Sequence, residues 1–187
     1  MIIQPFSEKE PTRYLGGGFH REVIVHPEDS NWVLCKYRHY FANKCIPNEI
    51  SNENFIKASF YLTKLVHSIF PNNIADIRSA CSEPFFEIRQ RIIYIDYAKD
   101  YVKRKELIDS VLEKTGYRLD TNYKNYLVDQ SGNIVYCDVF LPFYSSGIGH
   151  GRFDMPKIAV SIDELPNDKK DIATKYLKRL ETLTTTA

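Results

Sequence analysis

Residues 118–138, RLDTNYKNYLVDQSGNIVYCD, are the stretch from which the fold of this chain is best deduced. Asp120 stands five residues before Asn125, and Asp138 follows one predicted β-hairpin later. The segment DQSGN between two short apolar runs is a strong hairpin turn signal. Because a hairpin brings its two flanks together, we expect Asn125 and Asp138 to lie close to each other.

These three oxygen-bearing side chains suggest chemistry on a hydroxyl group with a bound Mg²⁺. In this interpretation Asp120 accepts or orients the proton of an attacking hydroxyl, while Asn125 and Asp138 supply hard oxygen ligands to the metal. The alternative is structural: a turn residue, a strand cap and an exposed acid after a strand. Taken singly each residue favours the alternative, but the three at this spacing favour the metal site. Asp129, at the hairpin tip, is interpreted as a turn residue.

A second candidate site lies upstream, in LGGGFHREV and the strand that follows it. Gly16, Gly17 and Gly18 lack a Cβ, so the backbone there could approach phosphate oxygens closely. Lys36 on the next strand could neutralise those phosphates, and His20 is a candidate phosphate contact. The alternatives are an ordinary hairpin, with Lys36 exposed on an edge strand and His20 a polar turn residue.

A long predicted helix from Asn52 to Phe70 should supply a partner for the lysine. Its apolar residues recur at helical spacing, and Pro71 stops it. Glu53 is the candidate partner of Lys36, with Glu49 in reserve. In the alternative, Glu53 is simply a first-turn acid favoured by the helix dipole.

The remaining pattern predicts a mixture of strands and helices. Strands are expected at 74–78 and 85–94, and helices at 103–114 and 167–183. Inward-facing residues of these two helices are expected to be Leu107, Ile108, Val111, Leu112, Ile172, Ala173, Tyr176, Leu177 and Leu180. The basic stretch from Lys99 to Lys105 is interpreted as a solvated helix start, and residues 145–153 as a Gly-rich loop.

The composition restricts the class of protein. The 187 residues are 43% hydrophobic and 26% charged, with thirteen Tyr and eleven Phe, as in a globular protein with a substantial core. With a net charge of +1, the protein lacks the strong positive field of a nucleic-acid binder. The four cysteines show no metal-binding spacing, and no signal peptide or membrane span is evident. We therefore expect a cytoplasmic protein with neither nucleic-acid nor membrane partners.

Two stretches resemble the protein-kinase-like superfamily, over residues 13–140. LGGGFHREVIVHPEDSNWVLCK is similar to the start of the small bacterial PhoP-regulatory-network kinase-like family: a Gly-rich turn, His-Arg, His-Pro-Glu-Asp and then a lysine strand. LDTNYKNYLVDQSGNIVYCD resembles the catalytic-loop and metal-loop hairpin of kinases and aminoglycoside phosphotransferases.

The resemblance implies an α+β, minimal bilobed protein-kinase-like fold that binds ATP and Mg²⁺. Residues 1–94 would be an antiparallel β N-lobe with one long helix, and residues 95–187 a reduced, mainly helical C-lobe. The implied roles are phosphate contacts from Gly16, Gly17, Gly18 and Lys36, a Glu53 partner for that lysine, Asp120 as the catalytic acid/base, and Asn125 and Asp138 as magnesium ligands.

The chain also departs from the kinase pattern. Arg118-Leu119-Asp120 stands in place of His-Arg-Asp, and Asp138-Val139-Phe140 in place of Asp-Phe-Gly. Only 49 residues follow Asp138, which makes the C-lobe short. We expect an ATP/Mg²⁺-dependent phosphotransferase with an unknown acceptor. One alternative is a pseudokinase that binds nucleotide or a protein partner without turnover, and another is an α+β interaction domain that binds no nucleotide.

Overall fold

A computed structural model of the chain describes residues 14–17, 21–25, 29, 32–37, 52–80, 85–89, 98–140 and 153–185. Within these residues the protein is α+β, as predicted, with four α-helices and two antiparallel sheets. The predicted Gly18, His20 and Glu49 lie outside the described residues. No helix in the described ranges is long and apolar enough to cross a membrane.

The larger sheet has five antiparallel strands. They are β1 (Tyr14–Gly17), β2 (Arg21–Val25), β3 (Val33–Tyr37), β4 (Asp76–Ala80) and β5 (Phe85–Arg89). Their order is β1-β2-β3-β5-β4, so β3 is the central strand. Lys36 pairs with Glu22 on one side and with Phe85 on the other. The alternative that placed Lys36 on an edge strand is therefore wrong.

Helix α1 (Asn52–Ile69) connects β3 to β4 and forms the centre of the core. It begins where predicted, and its apolar face is buried: Phe55, Ala58, Leu62, Leu65 and Val66. The last described helix, α4 (Asn167–Thr185), packs against it. Tyr61 and Tyr176 meet there with ring centroids 6.2 Å apart, and Arg179 donates a 3.0 Å hydrogen bond to the Tyr61 hydroxyl.

The second sheet is a hairpin of β6 (Tyr126–Val128) and β7 (Ile134–Tyr136), as predicted. The segment between α1 and β4 pairs with this hairpin through a parallel bridge from Ile74 to Tyr136. The Tyr136 N–H donates to the Asn73 carbonyl at 2.7 Å, and the Ala75 N–H donates to the Tyr136 carbonyl at 2.9 Å. Backbone hydrogen bonds thus link the region next to the large sheet to the hairpin.

Helices α2 (Tyr101–Thr115) and α3 (Met155–Asp163) complete the described elements. Asp100 caps α2 by accepting a hydrogen bond from the Lys103 N–H, and Gly116 ends the helix in the left-handed conformation at φ 71°. Helix α3 was not predicted, although Asp154 caps it and Pro156 stands in its first turn. A nine-residue helix directly after a Gly-rich stretch offers only a short periodic pattern.

Buried residues from all four helices and the hairpin form one cluster, which includes Leu65, Val111, Tyr136, Ile158 and Leu180. Two predicted inward positions are wrong. Leu112 is 38% exposed and Ile172 is 49% exposed, because each lies at the margin of its apolar face.

Candidate functional site

The turn of the β6–β7 hairpin is built around Asp129. Its carboxylate accepts hydrogen bonds from the backbone N–H of Ser131 and of Asn133, both at 2.8 Å, and from the Asn133 side chain at 2.9 Å. Gly132 takes a positive φ of 81°, which suits the tight turn. These bonds agree with the turn role predicted for Asp129 and fix the register of the hairpin.

Asp120 is half-buried in the loop that follows α2, directly after the buried Leu119. One carboxylate oxygen accepts the Asn122 N–H at 3.0 Å. The other accepts the Asn125 side-chain amide at 2.9 Å. The Asp120 carbonyl in turn accepts a 2.6 Å hydrogen bond from the Tyr126 hydroxyl. The predicted turn bond is therefore present, but the carboxylate also contacts a second predicted site residue.

Asn125 ends a short 3₁₀ turn, Tyr123–Asn125, that leads into β6. The turn is capped by Asn122, whose side chain accepts the Lys124 N–H. The Asn125 carbonyl accepts the Cys137 N–H at 2.8 Å, which aligns this residue with the one before Asp138. The hairpin therefore brings the backbone of Asn125 alongside the Cys137–Asp138 segment, as the sequence predicted.

Asp138 is half-buried between two buried neighbours, Cys137 and Val139. Its Oδ1 accepts the N–H of Val139 at 2.9 Å, which orients the carboxylate. The chain then reaches Phe140, whose side chain is fully buried and whose N–H donates to the Thr63 hydroxyl of α1 at 3.1 Å. Asp138 is therefore not the exposed acid of the structural alternative.

Two buried tyrosines report the electrostatics of this site. Burial is the main cause that raises the pKa of both Tyr126 and Tyr136 above the ordinary tyrosine value, and the charges of Asp120 and Asp138 raise both pKa values further. The Arg104 cation acts in the opposite sense on the pKa of Tyr126. Both carboxylates and this cation are thus close enough to Tyr126 to affect its ionisation.

The side-chain oxygens of Asn125 and Asp138 suit a hard cation that also keeps ligands from water or phosphate. Because the Asn125 amide nitrogen donates to Asp120, its amide oxygen is the atom that would face a metal. Asp138 adds a carboxylate, and Mg²⁺ commonly takes one or two carboxylates together with waters and phosphate oxygens. The described ranges contain no group of three or more His, Cys, Asp or Glu side chains that could hold a metal without such additional ligands.

The upstream candidates are described only in part. Gly16 and Gly17 form the end of β1, and Lys36 lies in the central strand β3. Glu53 lies in the first turn of α1. Since the structure describes the backbone but not the side chains of Lys36 and Glu53, their ion pair stays a prediction.

Three residues of the site were missed by sequence reasoning: Arg104, Tyr126 and Thr63. Arg104 was included in a stretch interpreted as a solvated helix start, yet it is half-buried beside Tyr126. The signal that could have found it is its spacing of three and seven residues from Leu107 and Val111, on the buried face of α2.

Comparison with known proteins adds no assignment. No protein-family model matches the chain, and no curated protein matches it either. The functional interpretation therefore depends on the geometry of the site itself.

Proposed function

We propose that the protein is an ATP/Mg²⁺-dependent phosphotransferase of minimal, kinase-like bilobed fold, with an unknown acceptor. The observation that carries this proposal is the arrangement of Asp120, Asn125 and Asp138. Asn125 bonds the Asp120 carboxylate with its side chain and the Cys137 N–H with its backbone carbonyl. Asn125 therefore connects the proposed base, Asp120, to the segment that contains Asp138, the proposed metal ligand.

The order of elements supports the proposal. A five-stranded antiparallel sheet of order β1-β2-β3-β5-β4, with one long helix between β3 and β4, is what we expect of a kinase-like N-lobe. The lysine proposed to contact the nucleotide phosphates lies in its central strand. Helices α2, α3 and α4 and the β6–β7 hairpin would form the reduced C-lobe.

Asp120 has the environment that a proton acceptor needs. Its two carboxylate oxygens are held by the Asn122 N–H and the Asn125 amide, so its orientation is fixed before a substrate arrives. In the proposed reaction Asp120 holds the acceptor hydroxyl and receives its proton. The acceptor oxygen bonds to the γ-phosphorus as the bond to the β-phosphate oxygen breaks and ADP leaves.

Asn125 and Asp138 would hold the Mg²⁺, which supplies neutralisation of phosphate charge when it is bound. Gly16, Gly17, Gly18, His20 and Lys36 would hold the phosphates, and Glu53 would position the lysine. A cytoplasmic location would suit an enzyme that uses ATP.

A regulatory nucleotide-binding module without turnover is the second candidate. It is favoured by the segment after Asp138, where Val139-Phe140 replaces the expected Phe-Gly. Phe140 is fully buried and its N–H is held by Thr63, so the metal-binding segment is anchored where kinases have a flexible glycine. A protein partner could in that case be the functional ligand.

Thermal unfolding with ATP and Mg²⁺ tests both candidates together. A ligand at 100 times its Kd stabilises the native state by about 2.7 kcal/mol. We expect this stabilisation in wild type and in the surface control Asp163→Asn, and its loss in Asp138→Asn. Absence of stabilisation in wild type at millimolar ATP would contradict both candidates.

ATP turnover then separates enzyme from module. A positioned general base contributes on the order of 10² to 10⁴ in rate. We expect Asp120→Asn to lower phosphotransfer or ATP hydrolysis by at least about 100-fold while ATP still stabilises the protein. Equal turnover in Asp120→Asn and wild type would exclude the proposed role of Asp120, and nucleotide binding with no turnover in wild type would favour the module.

A further inference from the structure

Arg104 is a cation at the edge of the candidate site that has no counterion among the residues the structure describes. It lies in the first turn of α2 and is half-buried. Its Nε is excluded from solvent and has no hydrogen-bond partner, and among the described residues no ion pair involves it. The next residue, Lys105, is exposed and pairs with Asp109. Within the described part of the chain, the more buried of these two cations is thus the one without an ion pair.

Aromatic rings hold the Arg104 guanidinium in place. Its central carbon lies 5.9 Å from the ring centroid of Tyr101 and 5.9 Å from that of Tyr126. A guanidinium that contacts aromatic faces still presents N–H donors along its edge, in a fork that matches carboxylate and phosphate oxygens. Tyr101 is 67% exposed, so one of these two rings borders solvent. The guanidinium therefore lies between an exposed ring and a buried one.

The start of α2 is an unfavourable place for a cation, although the Asp100 carboxylate at its N-cap offsets part of the cost. The first turn of α2 contains no acidic residue, and a positive charge there opposes the helix dipole. A buried N–H donor without an acceptor also costs stability. An anionic ligand would offset the first of these costs, because it would pair with the guanidinium charge and interact favourably with the helix start, whereas the Nε is excluded from solvent and out of its reach.

Arg104 is next to the proposed base. Tyr126 contacts the guanidinium with its ring and donates its hydroxyl to the Asp120 carbonyl at 2.6 Å. One tyrosine ring thus separates the cation from the residue at which the acceptor hydroxyl would bind. The charge of Arg104 lowers the pKa of Tyr126, whereas Asp120 and Asp138 raise it, which agrees with this proximity.

We propose that Arg104 binds an anionic group, a phosphate or a carboxylate, of the phosphoryl acceptor. The inference rests on the proposed function, since it assumes that the acceptor hydroxyl binds at Asp120. It makes the acceptor a molecule that bears an anionic group in addition to its reacting hydroxyl. The phosphates of ATP are the other source of the same chemistry.

Inorganic phosphate is the probe, followed by NMR through the backbone amides of α2 and the Asp120 loop. We expect saturable shifts in wild type and in Lys105→Gln, which removes a neighbouring exposed cation. Arg104→Gln should bind phosphate about tenfold more weakly or worse, since a charge-assisted hydrogen bond is lost. Arg104→Lys keeps the positive charge but lacks the forked guanidinium, so its affinity for phosphate should lie between those of wild type and Arg104→Gln. Urea unfolding checks that both variants are folded.

The outcomes distinguish this inference from the proposed function. Arg104→Gln should keep the stabilisation by ATP and Mg²⁺, and Asp138→Asn should lose it while keeping phosphate binding. Phosphate binding that is unaffected in Arg104→Gln, or absent in wild type, would overturn the anion site. Loss of ATP stabilisation in Arg104→Gln would assign Arg104 to the nucleotide and overturn the acceptor role. Phosphate binding through Arg104 in a protein that ATP does not stabilise would keep the anion site and refute the phosphotransferase.

Discussion

The hydroxyl of Thr63, in the middle of α1, accepts a 3.1 Å hydrogen bond from the backbone N–H of Phe140. The same hydroxyl donates to the Ser59 carbonyl at 2.8 Å, and all three residues are buried. Helix α1 is thereby connected to the segment that begins at Asp138. A displacement of α1 would therefore also move Phe140, which lies two residues after the proposed metal ligand Asp138.

Thr63→Val should show the strength of this connection. Valine keeps the shape but leaves the buried Phe140 N–H without an acceptor, and we expect a loss of about 1–3 kcal/mol in the free energy of unfolding. Affinity for Mg²⁺ and ATP should fall as well, because the segment that contains Asp138 loses its hydrogen bond to α1 at Phe140. Urea unfolding and calorimetric titration measure the two effects.

Ser59→Ala is the matched control for this variant. Among the described residues the Ser59 hydroxyl bonds the Phe55 carbonyl of its own helix alone, and alanine favours the helix. We expect a loss near the lower end of the net value of one hydrogen bond, about 0.5 kcal/mol, because no backbone N–H is left unpaired. If Ser59→Ala and Thr63→Val were equally destabilising, the connection to Phe140 would have no special role.

Tyr126→Phe removes the hydroxyl that donates to the Asp120 carbonyl at 2.6 Å. We expect the free energy of unfolding to fall by about 0.5–1.5 kcal/mol, the usual net contribution of one hydrogen bond. Turnover should fall further than ATP affinity, since the change loosens the proposed base and leaves the metal ligands in place. Tyr101→Phe serves as control, because that ring is 67% exposed and stability should not change. A Tyr126→Phe protein with wild-type stability and turnover would contradict this role.

Alkaline pH should destabilise the protein through its buried tyrosines. Burial raises the pKa of Tyr126 and Tyr136 above the ordinary value of 10.0, so above about pH 10 the unfolded chain loses these protons before the native state does. The stabilising effect is thus complete below pH 10 and is lost as the pH rises through the native pKa values. Each tyrosine should contribute a slope of about 1.4 kcal/mol per pH unit to the fall in stability.

Urea unfolding between about pH 9 and about pH 11 measures this slope. In Tyr126→Phe one of the groups with a raised pKa is gone, so the decline should be shallower than in wild type. An identical decline in the two proteins would mean that Tyr126 ionises alike in the native and unfolded states.

Two glycines with positive φ allow the cost of a steric clash to be compared with the cost of a left-handed backbone conformation. A Cβ at Gly116 (φ 71°) would lie 2.6 Å from the Asp154 Cβ and 2.9 Å from its nitrogen, whereas a Cβ at Gly132 (φ 81°) would meet nothing within 4 Å. Gly132→Ala should therefore cost only the left-handed conformation, about 1–2 kcal/mol. Gly116→Ala should cost clearly more, because α2 and α3 must separate. Equal losses in urea unfolding would contradict the close approach at Gly116.

Much of the site could be predicted because its pattern is local. Asp120, Asn125 and Asp138 are separated by one short turn and one hairpin, and turn chemistry specifies both. Helical spacing could have placed Arg104 near the buried face of α2, but its contact with a ring 22 positions along the chain is not contained in that pattern. Helix α3 was missed for a similar reason: with nine residues it is stabilised by contacts such as the Ser161 hydroxyl bond to the Lys114 carbonyl rather than by its own pattern. Ile172 is exposed because it lies at the margin of the apolar face of α4, and helical periodicity does not show how much of that face is covered.

The bridge between Ile74 and Tyr136 bears on how the molecule could be divided. The predicted boundary near residue 95 would cut the connection between two stretches whose backbones share hydrogen bonds, and would also separate α1 from α4. Each fragment would expose backbone groups without hydrogen-bond partners and apolar side chains, so we expect that neither folds alone. Mixed together, the two fragments carry complementary surfaces and should reassemble. The chain is thus suited to a split-protein format, in which reconstitution of two separately expressed pieces restores whatever activity the intact protein has.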